Sequence, residues 1–171
     1  MFWALFLKGH SPLQPFFNAF LKSVKVRFLK SILMNELSNT DIDEIMYKKG
    51  INYNGCFAVN ELDHIPQGST IINLNGNSHW TALIRDKDNY YYFDAFGFLC
   101  PKHIEDLIGK KYMYSDKEIQ GLKSSSCGFY CIAFLKFLNN KKDKELFYKA
   151  FLDLFDNNKW EHNEVVLYTL L

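Results

Sequence analysis

Residues 120–138 begin with a polar segment and continue into the most strongly apolar part of the chain. From Cys127 to Leu138 almost every residue is apolar, which predicts a helix buried on most sides at the centre of a globular domain. Cys127 would lie in its first turn, where unpaired N–H groups and the helix dipole favour a thiolate. A cysteine at such a place is more often a small buried apolar residue. Cys127 is therefore a candidate nucleophile that needs further support.

Shorter patterns predict the other elements. The sequence favours an α+β fold in which a central mixed sheet packs against the helix that begins at Cys127. Antiparallel pairing is expected between strands 79–85 and 90–94, which the polar turn 86–89 joins at the centre of the sheet. Further strands are predicted at 69–74 and 111–114, with a loop at 51–66 and a turn at 75–77. A first helix should begin at Asn39 or Thr40, either of which can cap it, and end near Gly50. Further helices are predicted at 101–108, 143–155 and 161–171.

The first 34 residues differ from the rest of the chain. They contain five basic residues and no acidic residue, which leaves 15 basic and 19 acidic residues in 35–171. Apolar residues recur at spacings of three and four along 16–33, so this segment is predicted to be a basic amphipathic helix. We therefore divide the chain into an N-terminal extension, 1–34, and a domain, 35–171. The extension would dock on its own domain, on an anionic membrane or on a partner.

Composition limits the possible classes of protein. With 171 residues, of which 48% are hydrophobic, the chain can bury a large core. The domain is mildly acidic, which argues against a broad nucleic-acid-binding surface. Four cysteines without CxxC pairs indicate free thiols, with neither a disulfide scaffold nor a zinc site. No apolar run suits a membrane span, and the first residues do not form a secretory signal, so we expect neither secretion nor a transmembrane segment.

Three polar residues complete a candidate catalytic site with Cys127. His79 begins one strand of the predicted hairpin and Asp94 ends the other, so antiparallel pairing would bring them together. A histidine that exchanges a proton with the thiol, oriented by a carboxylate, is what cysteine attack on a carbonyl requires. The Cys127 N–H and the amide of Gln120, seven residues earlier, are candidate oxyanion donors. Each residue taken alone is more often structural, but their order is hard to obtain from packing.

This ordered series resembles a known family. It is similar to the adenovirus maturation protease, adenain, and to its relatives in virophages and polinton-like elements. The resemblance covers about 37–138 and includes the seven-residue step between the last two catalytic positions. The segments that carry it are His79-Trp80, 93–98, Gln120-Gly121 and 126–131.

The resemblance implies a papain-like fold and a cysteine endopeptidase that cleaves capsid and core precursors during virion maturation, after a small residue such as Gly in an apolar-x-Gly context. It implies a monomer located in the virion and the infected cell. Neither a metal nor a cofactor is needed for the chemistry, but DNA and a capsid-derived peptide are candidate activators. This chain has Asp94 where adenain has Glu, and only Cys100 lies between the acid and Gln120, at a position that does not match the peptide-binding cysteine.

Two other functions remain open. A ubiquitin- or SUMO-deconjugating protease of the same clan resembles this chain in the order of its catalytic residues, although such enzymes usually have Asp before the nucleophile, where this chain has Ser126. The second alternative is a catalytically inactive module that binds a capsid protein or a membrane through residues 1–34. Cleavage of a diglycine-tailed modifier would favour the first, and folded protein without any activity would favour the second.

Overall fold

The computed structural model describes residues 36–74 and 79–171. The predicted basic helix 16–33, the division of the chain at residue 34 and the turn 75–77 lie outside these residues. Within the described ranges the fold is α+β, as predicted. The strands are β1 (Cys56–Ala58), β2 (Gly68–Asn73), β3 (Trp80–Asp86) and β4 (Asn89–Phe93). The α-helices are α1 (Asn39–Lys48), α2 (Lys102–Ile108), α3 (Cys127–Leu138), α4 (Lys144–Leu152) and α5 (Trp160–Leu170).

The four strands form one mixed sheet in the order β1-β2-β3-β4. β1 runs parallel to β2, whereas β2, β3 and β4 pair antiparallel. The predicted hairpin is confirmed, with Asp86 opposite Asn89 at its turn. It does not lie wholly at the centre, because β4 is the last strand and extends the sheet only through a parallel bridge between Tyr91 and Met113.

Buried side chains cover both faces of the sheet, which explains why β3 and β4 contain nearly continuous apolar runs. Alternate residues point to opposite faces, so Ile71 and Ile84 join the cluster around α3. Ile72 and Leu83 instead pack on the other face with the cluster that includes α2. The sheet is therefore the middle layer between two apolar clusters.

α3 is the central helix, as its sequence predicts. Nine of its twelve residues are buried. Phe134 stacks on Phe93 of β4 with ring centroids 4.6 Å apart, and its edge contacts Tyr148 and Phe151 of α4. This aromatic packing fixes α3 against the sheet and so determines where its first turn lies.

Several local predictions require correction. Ser38, rather than Asn39 or Thr40, caps α1, because Ser38 and Asp41 form a reciprocal capping box. The predicted loop 51–66 contains β1 and a short 3-10 helix, Val59–Glu61. The predicted strand 111–114 is reduced to the bridge at Met113. No helix in 36–74 or 79–171 is long and apolar enough to cross a bilayer.

Candidate active site

Close contact between α3 and β3 forms the base of the site. Trp80, the first residue of β3, is fully buried and donates a hydrogen bond from its indole N–H to the Leu37 carbonyl at 2.9 Å. A Cβ atom on Gly128 would lie 3.3 Å from the Trp80 ring and 3.2 Å from the Leu37 side chain. Because Gly128 has no side chain, the first turn of α3 can lie against the start of β3. This contact brings Cys127 towards His79, the residue before Trp80.

His79 and Asp94 meet at the same end of the hairpin. They lie just outside β3 and β4, and the Nε2 atom of His79 is 2.8 Å from the Oδ2 atom of Asp94. His79 is 8% exposed and Asp94 is 1% exposed. Since a carboxylate can only accept, Nε2 carries the proton and donates to Asp94. The predicted approach of these two residues is therefore observed.

The carboxylate of Asp94 is held on both of its oxygens. While Oδ2 accepts from His79, Oδ1 accepts from the backbone N–H of Phe96 at 2.8 Å. The backbone also turns at this place, because the N–H of Gly97 donates to the Asp94 carbonyl at 3.1 Å. The Phe96 ring stacks on the His79 imidazole with centroids 4.8 Å apart. The turn after β4 thus fixes both the orienting carboxylate and the plane of the imidazole.

The imidazole is biased towards its protonated form. Burial lowers the pKa of His79, but the hydrogen bond and negative charge of Asp94, together with the neighbouring Cys127 thiol, outweigh burial and raise the pKa to about 9. Since Nε2 is bonded to Asp94, Nδ1 is the ring atom left for the thiol of Cys127. Nδ1 is buried and makes no hydrogen bond of normal geometry within the described residues. His79 therefore lies between a fixed carboxylate and a thiol that is near enough to change its pKa.

Gln120 is fully buried in the loop before α3. Its Nε2 atom donates to the Ser124 carbonyl at 2.8 Å, and its Oε1 atom has no partner within the described residues. The backbone N–H groups of Ile119 and Gln120 both donate to the Ala95 carbonyl at 3.0 Å. These bonds attach the Gln120 loop to the residue that follows Asp94. The second Nε2 hydrogen of Gln120 takes part in none of the described hydrogen bonds.

The other three cysteines have surroundings that do not activate a thiol. Cys131 is fully buried, and burial raises its pKa well above the ordinary value. Burial also raises the pKa of Cys56 and of Cys100 to about 12. Among the cysteines, Cys127 alone lies beside a histidine that a carboxylate orients.

The described residues contain no cluster of three or more His, Cys, Asp or Glu side chains suited to a metal ion. They do contain one polar group that the sequence did not reveal, in which Glu164 of α5 accepts hydrogen bonds from Ser124 and Ser126. Ser124 and Glu164 are 40 residues apart, so no local sequence pattern predicts their contact. Of the three serines before Cys127, Ser126 is buried, and its hydroxyl therefore requires a polar partner.

No family model matches the chain. The sequence is 28% identical over 104 residues to the protein named Protease of Bovine adenovirus 2. The alignment covers 50% of this chain and 51% of that relative, so the chain spans about half the length of the curated relative it matches. This similarity supports an adenain-like viral protease.

Proposed function

We propose that the protein is a viral cysteine endopeptidase with a papain-like, adenain-like fold. The observation that carries this proposal is the arrangement around His79. Its Nε2 atom donates to a buried carboxylate at 2.8 Å, while a cysteine at the first turn of a buried helix lies close to the same imidazole. A nucleophile, a proton carrier and an orienting group are thereby assembled from three separate elements.

In the first half of the reaction, the Cys127 thiolate forms a bond to the carbonyl carbon of the peptide. The carbonyl π electrons move to oxygen, and the backbone N–H of Cys127 and the free Nε2 hydrogen of Gln120 stabilise the resulting oxyanion. When the oxyanion collapses, the carbon–nitrogen bond breaks. His79 gives its proton to the departing amine, and a thioester remains on Cys127.

In the second half, neutral His79 takes a proton from water, and the hydroxide attacks the thioester carbon. The carbon–sulfur bond breaks, so the product leaves with a new carboxyl group and the thiolate and protonated His79 are restored. Asp94 stabilises the imidazolium and fixes its orientation in both halves. No cofactor takes part in these steps.

The proposed substrates are capsid and core precursor proteins of the element that encodes the protease. Cleavage after a small residue, commonly Gly, in an apolar-x-Gly context follows from the resemblance to adenain. The proposed location is the virion and the infected cell, and the proposed state is a monomer. This role extends beyond the partial similarity to an adenovirus protease, which covers about half of each chain.

DNA remains a proposed activator, but a disulfide-linked peptide is less suited to this chain. Cys100 is the only cysteine between Asp94 and Gln120. It is 4% exposed, and burial raises its pKa to about 12, so it lacks the accessible thiolate that disulfide exchange needs. An activating peptide would have to bind without this thiol.

Co-expression with the capsid proteins of the same element tests the proposed function. The wild-type chain should shorten one or more capsid or core proteins, whereas Cys127→Ala should leave all of them at full length. Intact mass spectrometry detects the products and reads the cleavage sequence. Cys131→Ala is the matched control, because it removes a cysteine of the same helix that faces the core.

The alternatives give different outcomes. Cleavage of a diglycine-tailed modifier, with capsid precursors left intact, would identify a deconjugating protease. If wild type and Cys127→Ala are both folded and neither changes a capsid protein when DNA and capsid peptides are supplied, the endopeptidase is refuted. The inactive binding module would then explain the fold.

A further inference from the structure

Helix α5 holds the loop that carries the proposed oxyanion donors. Asn163 is fully buried and donates from Nδ2 to the carbonyl of Ile119 at 2.9 Å, next to Gln120. On the same helix, the Trp160 ring covers Gly121, where a Cβ atom would lie only 2.9 Å from the ring. The beginning of the loop is therefore fixed by α5 as well as by the Ala95 carbonyl.

Glu164 holds the end of the same loop through both of its carboxylate oxygens. Oε1 accepts from the Ser124 hydroxyl at 2.7 Å, and Oε2 accepts from the Ser126 hydroxyl at 3.0 Å. The two serine oxygens are also 3.0 Å apart. Because both hydroxyls lie within hydrogen-bond distance of a carboxylate that can only accept, Glu164 holds two neighbouring oxygen atoms in place.

Each of the two serines is connected to one of the two proposed oxyanion donors. The Ser124 carbonyl accepts the hydrogen bond from Gln120 Nε2 at 2.8 Å, so the position of Ser124 sets the orientation of the Gln120 amide. Ser126 directly precedes Cys127, and its carbonyl accepts the N–H of Tyr130 at 3.0 Å at the start of α3. The orientation of the Ser126–Cys127 peptide determines where the Cys127 N–H points.

We propose that Glu164 is a positioning residue that sets the oxyanion hole through Ser124 and Ser126. Since this role presupposes the peptidase activity proposed above, its effect should be confined to the step in which charge develops on the carbonyl oxygen. Glu164 itself contacts neither Cys127 nor His79 in the described hydrogen bonds, so it acts only through the loop.

The charge of Glu164 explains why a carboxylate, rather than a neutral acceptor, would be needed. Burial raises the pKa of Glu164, and the two serine hydrogen bonds oppose this rise. Only an ionised carboxylate accepts both hydroxyl hydrogens equally, and charge-assisted bonds are about twice as strong as neutral ones. A glutamine at this position would accept from one serine and would present its NH₂ group to the other.

Three variants test the role: Glu164→Ala, Glu164→Gln and Ser126→Ala. Activity is measured on the fluorogenic peptide Leu-Arg-Gly-Gly-aminomethylcoumarin, and alkylation of Cys127 is measured with iodoacetamide. Alkylation displaces iodide at a saturated carbon, so it requires the thiolate but no oxyanion. We expect kcat to fall by about 10- to 100-fold in Glu164→Ala, with KM within about 3-fold, because a misplaced donor loses part of the 10²- to 10³-fold effect of one donor.

The smaller changes should have graded effects. Glu164→Gln and Ser126→Ala each keep one of the two bonds in which an oxygen of residue 164 accepts from a serine hydroxyl, so their kcat should lie between those of wild type and Glu164→Ala. The alkylation rate should be unchanged in all three variants. Glu161→Gln, which alters an exposed glutamate one turn earlier on α5, is the matched control and should retain wild-type kcat.

The outcomes separate this role from the peptidase activity itself. If the wild type cleaves the peptide and all three variants cleave it equally well, the role of Glu164 is refuted and the peptidase stands. If alkylation falls together with kcat, the variants damage the nucleophile or the fold, which also refutes an oxyanion role. If wild type is alkylated at Cys127 but cleaves neither the peptide nor capsid precursors, the proposed function fails, and the positioning role fails with it.

Discussion

Replacing Asp94 by Asn changes one carboxylate oxygen into an amide NH₂ group while the shape of the side chain is preserved. In the native site the two oxygens accept from different donors, the N–H of Phe96 and Nε2 of His79, each at 2.8 Å. The single amide oxygen of Asn cannot serve both. If it stays with the fixed backbone N–H of Phe96, the NH₂ group faces Nε2 and forces the proton of a neutral His79 onto Nδ1, towards Cys127.

The pKa of His79 gives the free energy by which the site stabilises the imidazolium. A rise from the ordinary 6.5 to about 9 corresponds to about 3 kcal/mol of preferential stabilisation of the imidazolium. Loss of a nearby negative charge typically moves a pKa by about 1 to 3 units, so we expect the alkaline limb of the pH profile to move down by about that amount. Near neutral pH, kcat/KM should fall by about 10²- to 10⁴-fold, the usual contribution of a correctly placed general acid and base.

Stability should depend on pH in a related way. A pKa that is higher in the folded protein stabilises the fold fully below the unfolded value of 6.5, and this contribution is lost as the pH rises through about 9. The free energy of unfolding, measured in urea, should therefore fall between pH 6 and pH 10 in wild type. It should fall by a smaller amount in Asp94→Asn. This measurement does not depend on turnover.

The assay measures kcat/KM for the same peptide from pH 5.5 to 10 in wild type, Asp94→Asn and Asp94→Glu. Asp94→Glu retains the negative charge and should keep an alkaline limb above that of Asp94→Asn. Asp88→Asn, at the exposed turn of the same hairpin, is the control for removal of an acidic side chain. If Asp94→Asn is folded, keeps the wild-type kcat/KM and loses activity at the same alkaline pH as wild type, the role assigned to the His79–Asp94 pair is refuted.

Three further changes probe the nucleophile, the oxyanion hole and the support from α5. Cys127→Ala should abolish turnover while the protein still unfolds cooperatively on heating, whereas Cys131→Ala should remain active; inactivity of both folded variants would contradict Cys127 as the sole nucleophile. Gln120→Ala should lower kcat by about 10²- to 10³-fold with little change in KM, and steady-state kinetics that show only a higher KM would assign it to substrate binding instead. Asn163→Ala should lower the free energy of unfolding by about 2 to 4 kcal/mol, because the buried carbonyl of Ile119 and the partly buried N–H and carbonyl of Asp156 lose their partner; a urea midpoint like that of the exposed control Asn157→Ala would contradict this.

The parts of the fold that local patterns specify agree with their predictions. The apolar run that begins at Cys127 forms the buried helix at the predicted bounds, and the two aromatic, β-branched strands form the hairpin that joins His79 to Asp94. The helix follows from the local run of apolar residues, and the hairpin follows from two neighbouring strands joined by a short turn. β1 escaped prediction because three residues are too few for alternation to be visible, and it forms by pairing with β2.

The site was less predictable where its contacts span the chain. Nothing near Glu164 in the sequence distinguishes it from an ordinary surface glutamate of an amphipathic helix. Its contacts with Ser124 and Ser126 arise only after α5 has packed beside α3. The cap of α1 is ambiguous in the sequence, because Ser38, Asn39 and Thr40 are all good caps and only the reciprocal bond with Asp41 decides between them.

The distance along the chain between Ser124 and Glu164 also affects when the site becomes complete during translation. Forty residues separate them, so at about 5 to 20 residues per second a ribosome needs about 2 to 8 s to add the second after the first. For most of that interval Cys127 has been synthesised, but the Glu164 carboxylate that binds Ser124 and Ser126 has not. A nascent chain would therefore carry its nucleophile before its proposed oxyanion hole is organised, so its proposed activity would be low until Glu164 has been added.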